Sequence, residues 1–186
     1  MRIVAGRAKG RRLAVPGQGT RPTSDRTREA LFSSLAALRD LDGARVLDLY
    51  AGTGALGLEA LSRGAAQAVL VESGRGALDV LAGNVATVGL PGAAVVARPV
   101  TAYLDTAADT RFDVVFADPP YELPDSELAA VLTALITRGL LAHGATVVVE
   151  RAARGSAVPW PGGITALRHR RYGAGVLWYG RRDETP

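Results

Sequence analysis

The sequence predicts an α/β domain with a mostly parallel seven-stranded sheet, a C-terminal antiparallel hairpin and a small N-terminal extension. Short apolar runs alternate with amphipathic segments through the middle of the chain, which is typical of a parallel sheet covered by helices on both faces. The last two predicted strands flank a glycine-rich turn, as in an antiparallel hairpin. With 186 residues, 48% of them hydrophobic, the chain is long enough to build one sizeable core.

Each element of the body follows from a local pattern. The apolar runs predicted as parallel strands are 46–49, 68–71, 94–97, 113–117 and 145–150. The amphipathic segments predicted as the intervening helices are 56–63, 78–88 and 126–138, and a glycine closes each of them. The C-terminal hairpin is predicted from 164–172 and 176–179.

An N-terminal extension precedes this body. Residues 3–5 and 12–15 flank a turn-prone, glycine-containing stretch and predict a short β-hairpin. A helix should then begin near residues 23–25, where each residue can serve as an N-cap, and run to about Leu41.

Positive charge is concentrated in this extension. Residues 1–28 contain eight basic residues and one acidic residue, whereas the whole chain has a net charge of +4. Concentrated basic charge suits a polyanion such as nucleic acid, although a solvated basic face has the same composition. The candidate nucleic-acid contacts are Arg7, Lys9, Arg11, Arg12 and Arg26.

The composition excludes several kinds of site. Disulfides, thiolate zinc sites and cysteine nucleophiles are excluded because the chain has no cysteine. The two histidines lie far apart in sequence, and we expect no metal. Neither a membrane-spanning apolar run nor a secretory signal is present, so we expect a cytoplasmic protein.

A glycine-rich segment, Asp48 to Gly57, joins the first strand of the body to its first helix. Its G-x-G-x-x-G spacing lets the backbone approach a ligand closely, and it fits a dinucleotide as well as other cofactors. Asp48 would repel a pyrophosphate but suits the ammonium group of S-adenosylmethionine, although it could also be a buried helix cap. Glu72 ends the next strand and can accept hydrogen bonds from a ribose. The candidate cofactor-binding residues are Asp48, Tyr50, Ala51, Gly52, Thr53, Gly54 and Glu72.

The tetrapeptide Asp118-Pro119-Pro120-Tyr121 directly follows the fourth predicted strand, and we expect all four residues to be catalytic. Prolines fix the backbone, so the Pro119 carbonyl and the Asp118 carboxylate become two adjacent hydrogen-bond acceptors. Two acceptors suit an exocyclic NH2 group, and Tyr121 offers a ring on which a planar base can stack. The motif therefore predicts methyl transfer to the amine of a base, with Asp118 as a proton acceptor. A rigid turn without chemistry is the alternative.

Nearly the whole chain resembles the bacterial RsmD-type 16S ribosomal RNA guanine-N2 methyltransferases. Arg2 to Gly6 and the stretch from Thr20 to Phe32 are similar to the distinctive N-terminus of that family. The segments from Asp48 to Gly54 and from Asp118 to Tyr121 match its cofactor and catalytic motifs, and Arg171 to Tyr179 resembles its last hairpin.

This resemblance implies a Rossmann-like class I methyltransferase that uses S-adenosylmethionine. It further implies methylation of the N2 amine of one guanine in 16S rRNA, within an assembled or assembling small ribosomal subunit. Two domains are then expected: an RNA-binding extension at residues 1–22 and the methyltransferase domain at 23–186. The resemblance also implies that residues 21–23 lie near the cofactor. The chain departs from many relatives at 96–100, where no acidic residue follows the third strand to contact the adenine.

At least three other functions remain open on the sequence. An N6-adenine methyltransferase of nucleic acid could use the same Asp-Pro-Pro-Tyr motif. A non-catalytic RNA-binding factor of ribosome assembly would keep the basic extension without a cofactor site. A nicotinamide dehydrogenase would explain the glycine-rich loop, but nothing after the fourth strand resembles a hydride-transfer site.

Overall fold

The computed structural model describes residues 1–16, 24–107 and 110–184. In chain order its elements are α1 (Asp25–Ala36), β1 (Arg45–Leu49), α2 (Ala55–Ser62), β2 (Gln67–Glu72), α3 (Arg75–Val88), β3 (Ala93–Ala97), α4 (Val100–Thr106), β4 (Phe112–Ala117), α5 (Asp125–Thr137), β5 (Leu141–Ala152), β6 (Ile164–Tyr172) and β7 (Gly175–Arg182).

All seven strands belong to one sheet, in the order β3-β2-β1-β4-β5-β7-β6. The first five strands pair in parallel, and β7 lies antiparallel between β5 and β6. The predicted α/β fold with its antiparallel C-terminal hairpin is therefore confirmed. The strand order reverses its direction between β1 and β4, and a crevice for ligands forms at such a point, outside the carboxyl ends of the strands.

Helices cover both faces of the sheet, so nearly every residue of β1, β2 and β4 is buried. One apolar cluster joins α1, α2 and α3 to one face. A second cluster joins α4 and α5 to the opposite face. No helix in the described part of the chain is long and apolar enough to cross a membrane.

From the sequence, α4 was missed and the lengths of α1, β5 and β7 were misjudged, the last of which covers Gly175–Arg182 and not only 176–179. Helix α4 was not predicted because its seven residues are too few to show a helical period. Helix α1 ends at Ala36 and not near Leu41, since the Leu38 N–H turns back to the Leu35 carbonyl. Strand β5 begins at Leu141 and not at 145, because it passes an irregularity in its pairing with β4.

The N-terminal hairpin is also shorter than predicted. Arg2 and Arg12 form a single antiparallel bridge, flanked by hydrogen bonds between Ile3 and Arg11 and from Leu13 to Met1. A longer ladder does not form because residues 4–8 bond to α2 and not to the opposing strand. The predicted N-cap at 23–25 is Ser24, whose Oγ accepts a hydrogen bond from the Thr27 N–H.

Candidate active site

The carboxyl ends of β1, β4 and β5 bring three acidic residues together. Asp48 lies near the end of β1, and Asp118 directly follows the last residue of β4. Glu150 lies beside Asp118, because the preceding residues Ala117 and Val149 are partners in the parallel register. Side chains two positions apart along a strand share a face, so this row of carboxylates projects toward α1, α2 and α3.

Left-handed backbone shapes the loop between β1 and α2. Tyr50, Gly52 and Gly54 have φ angles of 61°, 54° and 76°. Glycine adopts these angles at little cost, whereas Tyr50 is strained, and it is the one non-glycine residue with positive φ in the described ranges. The Ala51 N–H donates to the Val71 carbonyl at 2.9 Å, which folds the loop back onto β2.

Asp48 lies beneath this loop. Its side chain is 1% exposed, and its Oδ2 accepts a hydrogen bond from the Gly57 N–H at 2.9 Å. It therefore accepts a hydrogen bond from the first turn of α2 and lies beneath the loop. Burial raises the pKa of Asp48 to about 7, against the Gly57 bond that lowers it, and the charge of Glu72 raises it further.

Glu72, at the end of β2, lies against the other side of the loop. Its Oε2 accepts from the Gly52 N–H at 2.8 Å, and its Oε1 accepts from the N–H groups of Ser73 and Gly74 at 2.8 and 2.7 Å. A carboxylate has lone pairs for about four hydrogen bonds, so it can accept another from a ligand hydroxyl. The three backbone N–H groups thus fix the orientation of the Glu72 carboxylate.

A cleft of about 190 Å3 opens between the ends of β1 and β2 and the start of α4. Its lining residues are Tyr50, Val71, Glu72, Ser73, Pro99, Val100, Thr101, Leu123 and Glu127. Burial, and then the charge of Glu127, raise the pKa of Tyr50 above its ordinary value. Pro99 and Val100 form an apolar wall where an acidic residue was missing from the sequence, and a flat ring could pack there.

The Asp-Pro-Pro-Tyr motif stands next to this loop, at the end of β4. The Asp118 N–H contacts the Leu49 carbonyl at 3.4 Å, which ties the motif to β1. Burial raises the pKa of Asp118 to about 8, and the charges of Glu150 and then Asp48 add to the rise. Pro119 is buried and Pro120 exposed, while the Tyr121 side chain is 39% exposed. The structure therefore brings the two predicted motifs to one edge of the sheet.

Glu150 belongs to this edge, although the sequence did not point to it. The Tyr121 hydroxyl donates to Glu150 Oε1 at 3.1 Å. In the sequence, Glu150 looks like the polar end of an apolar strand, and only the pairing of β4 with β5 places it beside Asp118.

The predicted basic contacts divide into two groups. Arg7 donates to the Leu61 carbonyl at 3.0 Å, and Arg11 donates to the Val88 carbonyl at the end of α3. These two side chains fasten the extension to the body. Lys9, Arg12 and Arg26 are exposed and make no side-chain hydrogen bond or ion pair with the described part of the chain. Residues 21–23, which the resemblance placed near the cofactor, lie outside the described residues.

Two buried polar residues that the sequence did not single out dock the extension. The fully buried Glu59 accepts from the N–H groups of Val4 and Ala5 at 2.7 and 3.0 Å. Asn84 accepts from the Ala14 N–H at 2.8 Å and donates to the carbonyls of Ala14 and Thr53 at 3.1 and 2.9 Å. Asn84 thus joins the extension directly to the cofactor loop.

The charge of the edge discriminates between the two cofactors that the loop could bind. Glu72 lines the cleft with its carboxylate held against the loop, so a dinucleotide pyrophosphate would meet like charge there. The sulfonium and ammonium groups of S-adenosylmethionine would meet opposite charge, and Glu72 and the apolar wall suit its ribose and adenine. In the described ranges, no group of three histidine, cysteine or acidic side chains is placed to hold a metal ion.

Fold and site together define a Rossmann-like methyltransferase of the S-adenosylmethionine-dependent class. The same fold occurs in magnesium protoporphyrin IX methyltransferase from Synechocystis, whose structure contains bound S-adenosylmethionine. That likeness has a TM-score of 0.66 at 15% identity and concerns the fold alone.

The chain belongs to the family described as Conserved hypothetical protein 95, whose sequence model matches residues 1–181. It is similar to ribosomal RNA small subunit methyltransferase D of Escherichia coli K12, at 42% identity over 81% of this chain and 74% of that protein. The Haemophilus influenzae protein of the same name is 35% identical over 81% of this chain and 78% of its own length. The resemblance seen in the sequence is thereby confirmed.

A solved structure of a Thermus thermophilus protein, TTHA0928, agrees with this assignment. It superposes with a TM-score of 0.81 at 39% identity and covers 96% of this chain and 98% of its own.

Proposed function

We propose that this protein methylates the N2 amine of one guanine in 16S rRNA, with S-adenosylmethionine as the methyl donor. The observation that carries the proposal is the position of Asp118-Pro119-Pro120-Tyr121 beside the cofactor loop, at the ends of two adjacent strands. The names of the curated relatives, which are rRNA small subunit methyltransferases, supply the substrate class.

The catalytic motif acts mainly by alignment. Asp118 and the Pro119 carbonyl accept the two hydrogens of the amine, which directs the nitrogen lone pair at the methyl group. The bound donor supplies an electrophilic methyl on a positively charged sulfur. As the nitrogen–carbon bond forms and the carbon–sulfur bond breaks, the amine loses a proton, which the ionised form of Asp118 accepts and passes to water. The raised pKa of about 8 makes this carboxylate a stronger base than an ordinary one, and the ionised fraction that reacts grows as pH rises toward that value.

The remaining residues bind the two substrates. Tyr121 is exposed enough to stack on the target base, which must be flipped out if it lies in a helix. Glu72 and the loop from Tyr50 to Gly54 hold the donor, while Asp48 shapes that loop and contributes negative charge. Residues 1–22 bind RNA together with Arg26, and the enzyme acts in the cytoplasm on an assembled or assembling small subunit.

Mapping the methylated nucleotide tests this proposal. Small subunits are isolated from cells lacking the protein and incubated with it and with donor labelled in the methyl group; nucleosides are then analysed. We expect label in N2-methylguanosine at one position of 16S rRNA. Label in N6-methyladenosine would contradict the guanine assignment, and absence of donor binding by calorimetry would contradict an enzymatic role. Subunits incubated with the Asp118→Ala variant control for contaminating activities.

A further inference from the structure

Glu150 is the acidic residue of the catalytic edge that the reaction proposed above leaves without a role. It lies at the level of Asp118 on the neighbouring strand, since Ala117 and Val149 are paired directly before them. Its Oε1 accepts the Tyr121 hydroxyl at 3.1 Å, so the ring proposed to stack on the base also orients this carboxylate.

The hairpin strand β7 leaves space for the carboxylate. Gly175 packs against it so closely that a methyl group added there would lie 2.5 Å from Glu150 Oε1 and 3.2 Å from the Tyr121 hydroxyl oxygen. The φ of Gly175 is not positive, so the backbone does not demand glycine at this position. The absence of a side chain at Gly175 therefore leaves the space that the Glu150 carboxylate occupies.

Asp118 and Glu150 together form a row of acceptors beside the stacking ring. Their proximity is also evident in the raised pKa of Asp118, to which the charge of Glu150 contributes after burial. In the ionised form that the proposed reaction requires of Asp118, both carboxylates accept hydrogen bonds and donate none. A base bound here must therefore present consecutive donors on its edge.

Guanine presents such an edge and adenine does not. The N1–H of guanine stands directly beside its N2 amine, which gives adjacent donors. Adenine has a bare N1 nitrogen beside its N6 amine, and that lone pair would face a carboxylate. Two acceptors that face each other form no hydrogen bond and repel, so the mismatch disfavours the wrong base.

We infer that Glu150 selects guanine by accepting the N1–H of the flipped base, while Asp118 and the Pro119 carbonyl hold the amine beside it. Tyr121 and Gly175 fix the position of the Glu150 carboxylate from two sides. This inference rests on the proposed guanine-N2 methylation and names the residue that determines its base specificity.

The test compares guanine with 2-aminopurine at the mapped nucleotide of reconstituted small subunits. Both bases carry the 2-amine, but 2-aminopurine has a bare N1. We expect the native protein to prefer guanine in kcat/KM by at least about 100-fold, as for a site that hydrogen-bonds a group which the analogue lacks. The Glu150→Gln variant can donate its amide N–H to a bare N1, so this preference should fall at least about tenfold. Glu122→Gln, on the exposed loop after the motif, should keep the native preference.

An unchanged preference in Glu150→Gln would overturn the inference while leaving the proposed function intact. Failure of the proposed function would instead appear with the native protein, as absent methylation of guanine. Donor binding by calorimetry checks that each variant is folded. If Glu150→Gln does not fold, Gly175→Ala provides the same test, because its methyl group displaces the carboxylate; a native preference in that variant would equally overturn the inference.

Discussion

The acidic edge of the sheet and the basic N-terminal extension use charge in different ways. At the edge, the fully buried Asp48 has a pKa raised to about 7, and desolvation together with the charges of Glu150 and Asp48 raises the pKa of the partly exposed Asp118 to about 8. Lys9 and Arg12 of the extension and Arg26 of the adjoining α1 stay exposed, where water screens their charge. Burial makes each edge carboxylate individually important, whereas the exposed cations act as a group.

A second difference lies in what holds each region in place. The edge carboxylates are fixed by the ends of paired strands and by backbone N–H groups, as the Asp48–Gly57 and Glu72–Gly52 bonds illustrate. The extension has almost no sheet of its own and is held by side chains of α2 and α3, above all Glu59 and Asn84. A single substitution should therefore alter chemistry at the edge but only affinity or docking in the extension.

The largest effect is expected at Asp118. Replacing it with alanine removes an acceptor for the amine and the acceptor of its proton, so kcat should fall by at least about 1,000-fold. Donor affinity, measured by calorimetry, should change little because Glu72 and the loop remain. Asp79→Ala, an exposed residue of α3, is the matched control. Substantial turnover by Asp118→Ala would show that methyl transfer does not depend on the Asp118 carboxylate, and that a single residue of the edge is not individually essential.

Glu72 should show the next largest effect. A glutamine side chain has one acceptor oxygen and one NH2 group in place of the two carboxylate oxygens. Its NH2 group would therefore face either the N–H of Gly52 or the N–H groups of Ser73 and Gly74. We expect donor Kd to rise by about 10- to 100-fold, the loss of one hydrogen bond to a charged group. Calorimetry measures this, with Glu127→Gln at the cleft rim for comparison. A native Kd would show that the carboxylate does not bind the donor.

The effect of the exposed cations on RNA affinity should depend on how many of them are present. Replacing Lys9, Arg12 and Arg26 together with alanine should weaken RNA binding and lower the slope of log K against log salt by about 0.7 to 0.9 for each phosphate that the protein no longer neutralises. Filter binding at several salt concentrations measures both. Arg154→Ala, at an exposed turn of the body, should keep the native slope.

The two arginines that bond to the body should behave differently from the exposed cations. Arg7 and Arg11 bond to carbonyls of the body, so their replacement should lower thermal stability as well as affinity. If the Lys9, Arg12 and Arg26 variant keeps the native slope, RNA binds another surface.

The smallest effect is a pH-dependent change in stability. The pKa of Asp118 is about 8 in the folded protein, above its ordinary value of 3.8. Between these values the folded protein keeps a proton that the unfolded chain releases, so the free energy of unfolding falls as pH rises. Asp118→Asn removes this dependence, and its Tm should exceed that of the native protein by an amount that grows from pH 5 to pH 8, to a few degrees.

Thermal unfolding at several pH values checks this prediction. Asp79→Asn should follow the native curve, because its side chain is exposed. A constant difference between Asp118→Asn and the native protein would show that the Asp118 carboxyl is not buried enough to resist ionisation.

Local patterns determined how much of this structure could be predicted. Parallel strands and the motifs that follow them were readable because each is one apolar run with a defined end, such as Val46–Leu49 before the glycine loop. Helix α4 and the true extent of the N-terminal hairpin were missed, since α4 is short and residues 4–8 bond to a helix more than fifty positions away. Glu150 could not be found because its position beside Asp118 depends on which strand pairs with β4.

Asn84 gives the fold one further consequence. A single side-chain amide bonds to Ala14 of the extension and to Thr53 of the cofactor loop, so these segments keep their hydrogen bonds only while their relative position is maintained. If RNA moves Ala14, the affinity for the donor must change, and the donor must then change the affinity for RNA by the same factor. The binding of RNA and the binding of the donor would then be coupled through the buried side chain of Asn84.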